Sequence, residues 1–203
     1  MAIKNIIFDV GNVIVKWSPT DIIARTFNLS GDECQAMANT IFQHQIWMDI
    51  NKGKISELEA KLAYQEQLQL TPNETDVLFY QVKATQELLP GTFDMMKELK
   101  EKGYALFGLT DNVNEIVSHL KTTYDFWSLF DGAIVSAEWS VLKPDPKIYQ
   151  LVNDKCGIRS EESVFLDDMP HNIEGAKKHG FEAFQFTTAI QAREDLRSLG
   201  VTI

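Results

Sequence analysis

The chain has 203 residues, of which 44% are hydrophobic and 24% charged, and a formal net charge of −10. This is enough chain for one substantial core, or a core with a small satellite, and the composition is that of a folded globular protein rather than a disordered or fibrous one. The acidic balance argues against a nucleic-acid or anionic-membrane binder, which needs a basic face. It leaves room for a small phosphorylated substrate, because a divalent cation and one lysine can reverse the sign of a pocket.

The first element is the apolar run Ile3-Lys4-Asn5-Ile6-Ile7-Phe8, which ends at Asp9 just before the turn-capable pair Gly11-Asn12. Such a run predicts a buried strand over 3–9, and polar groups at the carboxyl ends of parallel strands face the ligand crevice of open α/β sheets. Asp9 is therefore a candidate nucleophile, although aspartate before Gly-Asn also fits an ordinary turn. Residues 16–87 then read almost entirely helical between Trp17-Ser18-Pro19 and Leu89-Pro90-Gly91, with acidic helix starts such as Ser56-Glu57-Leu58-Glu59, which predicts a small bundle. Gln43, His44 and Trp47 fall on or near one turn of it; Trp47 fits bundle core equally well.

Beyond the bundle, strands are predicted over Tyr104–Thr110, Ala133–Ser136, Ser163–Asp167 and Glu182–Phe186. They alternate with helices such as Gly91–Lys102, Asn114–Tyr124, Pro146–Lys155 and Asn172–His179. Alternation of this kind implies right-handed crossovers and a parallel sheet covered on both faces. The fold class is α/β, a Rossmann-like doubly wound parallel sheet formed by residues 1–15 and 88–203, with a helical insert at 16–87. Three of the later segments carry polar groups where Asp9 does. One strand ends in Thr110 followed by Asp111-Asn112, Lys143 precedes Pro144-Asp145-Pro146, and another strand ends in Asp167-Asp168. Singly, Thr110 fits a helix cap, Lys143 a solvated loop and the aspartate pair a helix start. Their order, Asp, Thr, Lys, Asp-Asp, is the signal.

That ordered set resembles the haloacid dehalogenase superfamily of hydrolases, most of whose members are phosphatases. Phe8–Val15, Leu109–Asn112, Lys143–Pro146 and Phe165–Asp168 stand at its four motifs. The closer likeness is to a bacterial branch with Asp-x-Gly-Asn-Val in the first motif, similar to phosphatases of α-glucose 1-phosphate. Gly53-Lys54-Ile55-Ser56, Lys147-Ile148-Tyr149-Gln150 and Asn172-Ile173-Glu174-Gly175-Ala176 extend it.

The resemblance implies a central first strand flanked by the Thr110 and Asp167 strands, so that Asp9, Thr110 and Asp168 meet at one edge. It implies that 16–87 is a substrate-selecting cap, with Gln43, His44 and Trp47 as specificity residues. It further implies that Asp9 attacks phosphorus to give an aspartyl-phosphate that water hydrolyses. Thr110, the N–H of Asp111, Gly11 and Asn12 would bind the phosphoryl oxygens, and Lys143 would neutralise both that group and Asp9. Asp9, Asp168, Asp167 and the carbonyl of Gly11 would hold Mg²⁺, which hard oxygen ligands favour over zinc. The expected partner is a small phosphorylated substrate such as a sugar phosphate, with no nucleic acid and no membrane, and the protein a monomer or weak homodimer. A cytoplasmic location is expected: Met1-Ala2-Ile3-Lys4 does not begin a signal peptide, and Cys34 and Cys156 show no metal-ligand spacing.

Two positions depart from the family pattern. Gly11 stands where most phosphatases of the superfamily have a second aspartate, the general acid and base, a group typically worth ~10²–10⁴-fold. Three readings follow: a good leaving group such as an anomeric phosphate, replacement by Asn12, a cap residue or water, or a weak catalyst. Asp111, where asparagine is frequent, adds negative charge near the phosphate unless it points away. A 2-haloacid dehalogenase would tolerate Gly11, since halide leaves without a proton, but paired carboxylates make sense mainly around a cation. A non-catalytic phosphate sensor is a further alternative, and a phospho-accepting receiver domain is disfavoured by the motif order.

Overall fold

Strand β1 (Asn5–Phe8) is buried at every position, as a run of β-branched and aromatic residues in mid-sheet should be. In the computed structural model, which describes residues 2–203, it lies at the centre of a five-stranded parallel sheet of order β3-β2-β1-β4-β5. The others are β2 (Ala105–Thr110), β3 (Gly132–Val135), β4 (Ser163–Asp167) and β5 (Glu182–Gln185). Phe8 is in register with Gly108 on one side and Leu166 on the other. The strand ends carrying Thr110 and Asp167 therefore flank Asp9.

Residue parity sorts the core into two layers. Ile6, Phe8, Leu106, Val164 and Leu166 pack on one face with Met95, Leu99, Leu120 and Leu196. Those partners come from α6 (Thr92–Glu101), α7 (Asn114–Thr123) and α11 (Ala189–Ser198), which follow the five helices of the insert described below. Ile7, Phe107, Leu109, Ile134 and Phe165 pack on the other face with Ile148, Tyr149, Val152 and Ile173, from α9 (Pro146–Cys156) and α10 (Pro170–Lys178). Each such side chain contributes about 1.5–3 kcal/mol on burial, which fixes the strand parity and with it the direction of every polar strand-end group. The expected strand ends hold to within two residues. Ser136 instead opens a short helix, α8 (Ser136–Trp139). Helix α10 starts ahead of expectation because Pro170 occupies its first turn, where a missing N–H is harmless.

Between β1 and α6 lie α1 (Pro19–Phe27), α2 (Gly31–Phe42), α3 (Gln45–Asn51), α4 (Glu57–Leu68) and α5 (Pro72–Ala84). Pro19 and Pro72 open α1 and α5, and Ser56/Glu59 and Thr71/Glu74 form reciprocal capping boxes. Tyr64 is fully buried and donates its hydroxyl to the Ile41 carbonyl at 2.9 Å. The chain leaves and re-enters the sheet through a paired neck, where Lys16 N donates to Glu87 O and Leu89 N to Ile14 O, both at 2.8 Å. A second anchor lies at the end of α3. Ser136 Oγ donates to Asn51 O at 2.7 Å, and Ser140 Oγ to Lys52 O at 2.9 Å. Gly53, at φ +63°, closes the contact, since a Cβ there would sit 2.0 Å from the Ala137 carbonyl oxygen.

Among the described residues no helix is long and apolar enough to cross a membrane. Neither cysteine is in a disulfide; burial pushes the Cys156 thiol up to about 11.

Candidate active site

Asp9 follows β1 directly and extends its pairing, its N–H donating to Leu166 O at 2.9 Å. Its Oδ1 accepts from the Val10 N–H at 2.7 Å and faces Lys143 Nζ at 2.9 Å, which leaves Oδ2 as the oxygen without a protein donor. The carboxylate is 7% exposed. Burial pushes its pKa up to about 8; Lys143 pulls the other way and Asp167 adds to the rise.

Lys143 is as deeply buried as the carboxylates it serves. Its Nζ meets Asp9 Oδ1 at 2.9 Å, Asp167 Oδ2 at 2.7 Å and the Leu109 carbonyl at 3.3 Å. Burial works against its charge, but Asp9, Asp167 and Asp111 outweigh it and hold the ammonium well above its ordinary range. An ammonium has three donors, and all three have acceptors here. Lys143 thus acts on a phosphoryl group by its charge and through Asp9. Asp111 does point away from the phosphate position, its carboxylate accepting the Lys143 backbone N–H at 3.0 and 3.1 Å. Burial raises its pKa against the opposing pull of Lys143.

The aspartate pair divides its labour. Asp167 is fully buried and accepts from Lys143 Nζ, from Met169 N at 2.8 Å and from Asn172 Nδ2 at 3.0 and 3.1 Å. Its oxygens come within 4.8 Å of those of Asp9 and Asp168, yet they are already held by protein donors. Asp168, half-buried, faces the cavity and accepts one hydrogen bond from Asn12 Nδ2 at 3.1 Å. Burial raises its pKa and Asn12 opposes the rise. Of the pair, Asp168 has the oxygens available for a cation, and Asp167 positions Lys143.

Asn12 lies at the edge of the cavity, with several of its polar groups engaged. Its left-handed backbone (φ 55°) turns its N–H onto Val15 O at 2.7 Å, and its side chain bridges Trp17 N at 2.9 Å to Asp168. Asn12 thereby ties the turn to Asp168 at the edge of the cavity that it lines. The Gly11 carbonyl lies outside the hydrogen bonds of this turn and is available to a cation. Thr110 closes β2, 1% exposed, with a hydroxyl that makes no protein hydrogen bond among the described residues, and the Asp111 N–H is likewise unengaged. These two donors remain for phosphoryl oxygens.

A cavity of about 340 Å³ opens over these groups. Its far wall comes from the helical insert and includes Trp17, Trp47, Met48, Asn51 and Gln86. Trp47 stacks on Trp17 at 5.7 Å with a 15° interplanar angle, and Phe42 meets it edge-on, so it is bundle core and cavity wall at once. Gln43 and His44 do not line the cavity. They fall between two helices: Gln43 caps α2 and bonds Asn39 at 3.2 Å, while His44 caps α3 and accepts the Ile46 N–H at 3.3 Å. Asn51, one turn beyond Trp47 on the same helical face, is the residue that i,i+4 spacing would have found. Gln86 and His171 are further lining residues that carry no sequence signal of their own.

A family model described as haloacid dehalogenase-like hydrolase matches residues 6–186. Over 196 residues, 97% of this chain and 96% of the relative, the sequence is 26% identical to a sesquiterpene phosphatase of Aspergillus oryzae. It is also 26% identical over 203 aligned positions, 96% of this chain and 97% of the relative, to a D-ribitol-5-phosphate phosphatase of Bacteroides thetaiotaomicron. A haloacid dehalogenase family enzyme from that bacterium, crystallised with magnesium and inorganic phosphate, superposes with a TM-score of 0.77 at 20% identity. The match covers 92% of this chain and 96% of that one, a likeness of fold.

Proposed function

The chain belongs to the haloacid dehalogenase-like hydrolase family, and from that premise we propose that it is a magnesium-dependent phosphatase acting on a small phosphorylated metabolite through an aspartyl-phosphate. The observation that carries this reading is Asp9 itself. It is a buried carboxylate at the end of the central strand, with one oxygen fixed by Lys143 and Val10 N–H, and the other uncovered beside Asp168.

The donor set fits a hard divalent cation: carboxylate oxygens of Asp9 and Asp168, whose group lies within 4.8 Å, and the Gly11 carbonyl, with Asp167 behind. When bound, magnesium neutralises charge on the phosphoryl oxygens and on Asp9. The protein's own residues supply the rest. Thr110 Oγ1 and the Asp111 N–H orient the phosphoryl group by donating to it, and Lys143 holds Asp9 aligned and anionic. Asp9 Oδ2 forms the bond to phosphorus as the bond to the leaving oxygen breaks, and water then cleaves the acyl phosphate, returning the carboxylate. Gly11 supplies no proton to the leaving group. This favours a substrate whose alcohol leaves readily, such as the anomeric phosphate of glucose 1-phosphate. The cap role of the helical insert over 16–87 and a cytoplasmic location belong to the same reading.

The test is release of inorganic phosphate from p-nitrophenyl phosphate, with 2-chloropropionate run beside it for halide release. Turnover is expected with Mg²⁺, and loss of turnover in excess chelator and in Asp9→Asn, which keeps the shape and removes the nucleophilic charge. Undiminished phosphate release in either case, or halide release without phosphate release, refutes the proposal.

A further inference from the structure

Residues 110–112, which carry the donors left for phosphoryl oxygens, are pinned at three successive positions by different parts of the chain. Thr110 is held in the ladder opposite Val135 of β3. The Asp111 carboxylate accepts the Lys143 backbone N–H at 3.0 and 3.1 Å. Asn112, 8% exposed, donates its N–H to Ser136 Oγ at 2.9 Å. Strand register brings Ser136 there, since it follows Val135 directly and lies alongside the residues after Thr110. This third pin differs from the other two, because Ser136 has a second partner in the helical insert.

Ser136 has no solvent exposure, and while it accepts from Asn112 its hydroxyl donates to Asn51 O at 2.7 Å. Asn51 closes α3, so its carbonyl belongs to the last turn and has no partner within the helix. That helix carries Trp47, Met48 and Asn51, part of the insert's wall of the cavity. One buried hydroxyl therefore joins the backbone of the wall to the backbone of the phosphoryl-binding turn. Other bonds across the same seam do not. Ser140, which is exposed, donates Oγ to Lys52 O at 2.9 Å, and Glu115 Oε1 accepts the Glu57 N–H at 3.2 Å. Neither of these side chains hydrogen-bonds residues 110–112.

We infer that Ser136 is a positioning residue that couples the seating of the helical insert to the direction of the Asp111 N–H. The inference rests on the phosphatase reading, which makes that N–H a phosphoryl donor, and adds the residue that aims it. With the insert seated, the hydroxyl proton goes to Asn51 O and a lone pair faces the Asn112 N–H. With the insert displaced, the acceptor left to that proton is Asn112 O, at 3.4 Å. Closing that gap shifts Asn112, and the adjoining Asp111–Asn112 peptide moves with it. A misplacement of about 1 Å costs on the order of 10²-fold in rate. Coupling of this kind is reciprocal, so a phosphate held by the turn favours the seated insert.

Inorganic phosphate is the probe, because it has no leaving group to touch the insert. Its Kd for Mg²⁺-loaded protein is measured by calorimetry, beside kcat and KM on p-nitrophenyl phosphate. Ser136→Ala should weaken phosphate binding roughly tenfold, the loss of one hydrogen bond, and Ser136→Cys, a weak donor and acceptor, should fall between it and the parent. Gly53→Ala disturbs the same bond from the insert side, since its Cβ would lie 2.0 Å from Ala137 O. It should weaken phosphate ~5-fold or more. Ser140→Ala removes a seam bond that does not reach the turn and should stay within about twofold of the parent. Parent-like phosphate affinity in Ser136→Ala or in Gly53→Ala overturns the coupling, as does an equal loss in Ser140→Ala. Where circular dichroism shows Ser136→Ala unfolded, Ser136→Cys and Gly53→Ala are read by the same criteria. A parent that neither binds phosphate nor hydrolyses p-nitrophenyl phosphate overturns the phosphatase reading instead. Amide exchange then decides the coupling: the Asn112 N–H should exchange ~10-fold faster in Gly53→Ala than in the parent, and an unchanged rate refutes it.

Discussion

Replacing Gly11 by aspartate restores an acid two residues beyond the nucleophile, and the structure indicates that the residue fits. Gly11 is not among the glycines with left-handed backbone, so the position does not demand glycine. A Cβ there would meet Trp17 Cβ at 3.6 Å and Cγ at 4.0 Å, ordinary van der Waals distances. A positioned general acid contributes typically ~10²–10⁴-fold, or about 2.7–5.4 kcal/mol of transition-state stabilisation. It contributes that only where the leaving oxygen needs a proton. Gly11→Asp should therefore raise the single-turnover rate on a primary alkyl phosphate by ~10²-fold or more and on p-nitrophenyl phosphate by less than ~10-fold. The parent's own rate should fall steeply as leaving-group pKa rises. Rates are measured by rapid quench with saturating Mg²⁺, and circular dichroism verifies the fold of the variant. A flat dependence on leaving-group pKa in the parent, or an equal gain on every substrate, would show that another group already supplies the proton.

Two further predictions concern stability. Asp167→Ala removes the partner of Lys143 Nζ, Met169 N and Asn172 Nδ2 from a site with no solvent exposure. Breaking a buried pair this way costs about 3–5 kcal/mol, so calorimetry should show Tm lowered by roughly 6–20 °C at about 2–4 °C per kcal/mol; a shift under ~2 °C would show that the network carries no weight. At the neck, hydrogen bonds from Lys16 and Arg25 hold the Asp21 carboxyl below its usual range. A depressed folded pKa contributes stability that is present above the unfolded value and lost as pH falls through the folded one. Asp21→Asn should thus be less stable than the parent by under ~1 kcal/mol at pH 7, with urea midpoints converging below about pH 3. A gap that persists or widens in acid contradicts the ion-pair origin.

The sheet was legible because its signals are local. Apolar runs with period-two partners set the strands, and alternation with helices set their parallel order. Parity also separates the two members of the aspartate pair. Asp9 lies two residues after Ile7 and Asp167 two after Phe165, and Ile7 and Phe165 share one face of the sheet. Asp9 and Asp167 therefore share that side, and both reach Lys143, whose ammonium stands 5.6 Å over the Phe165 ring. Asp168, of opposite parity, turns to the cavity. The specificity wall was less legible. Whether a helix runs through Gln43-His44 or restarts there depends on capping and on where α3 docks, through Asn51 and Gly53, against Ser136 and Ala137, contacts that no single segment encodes. Gln86 is brought to the site only by the return of the neck.

Charge explains why these positions belong together. Four carboxylates, Asp9, Asp111, Asp167 and Asp168, lie around one ammonium. Two of them are satisfied by the protein: Asp111 by the Lys143 backbone and Asp167 by Lys143 Nζ, Met169 N and Asn172. Asp9 and Asp168 are left facing one another, with ligand oxygens within 4.8 Å. At an effective dielectric of 20, two full charges at that separation repel by about 3 kcal/mol or more. A divalent cation held by these carboxylates would offset that repulsion. An arriving phosphate dianion would then meet a centre whose charge had been inverted, so phosphate affinity should depend on the bound cation.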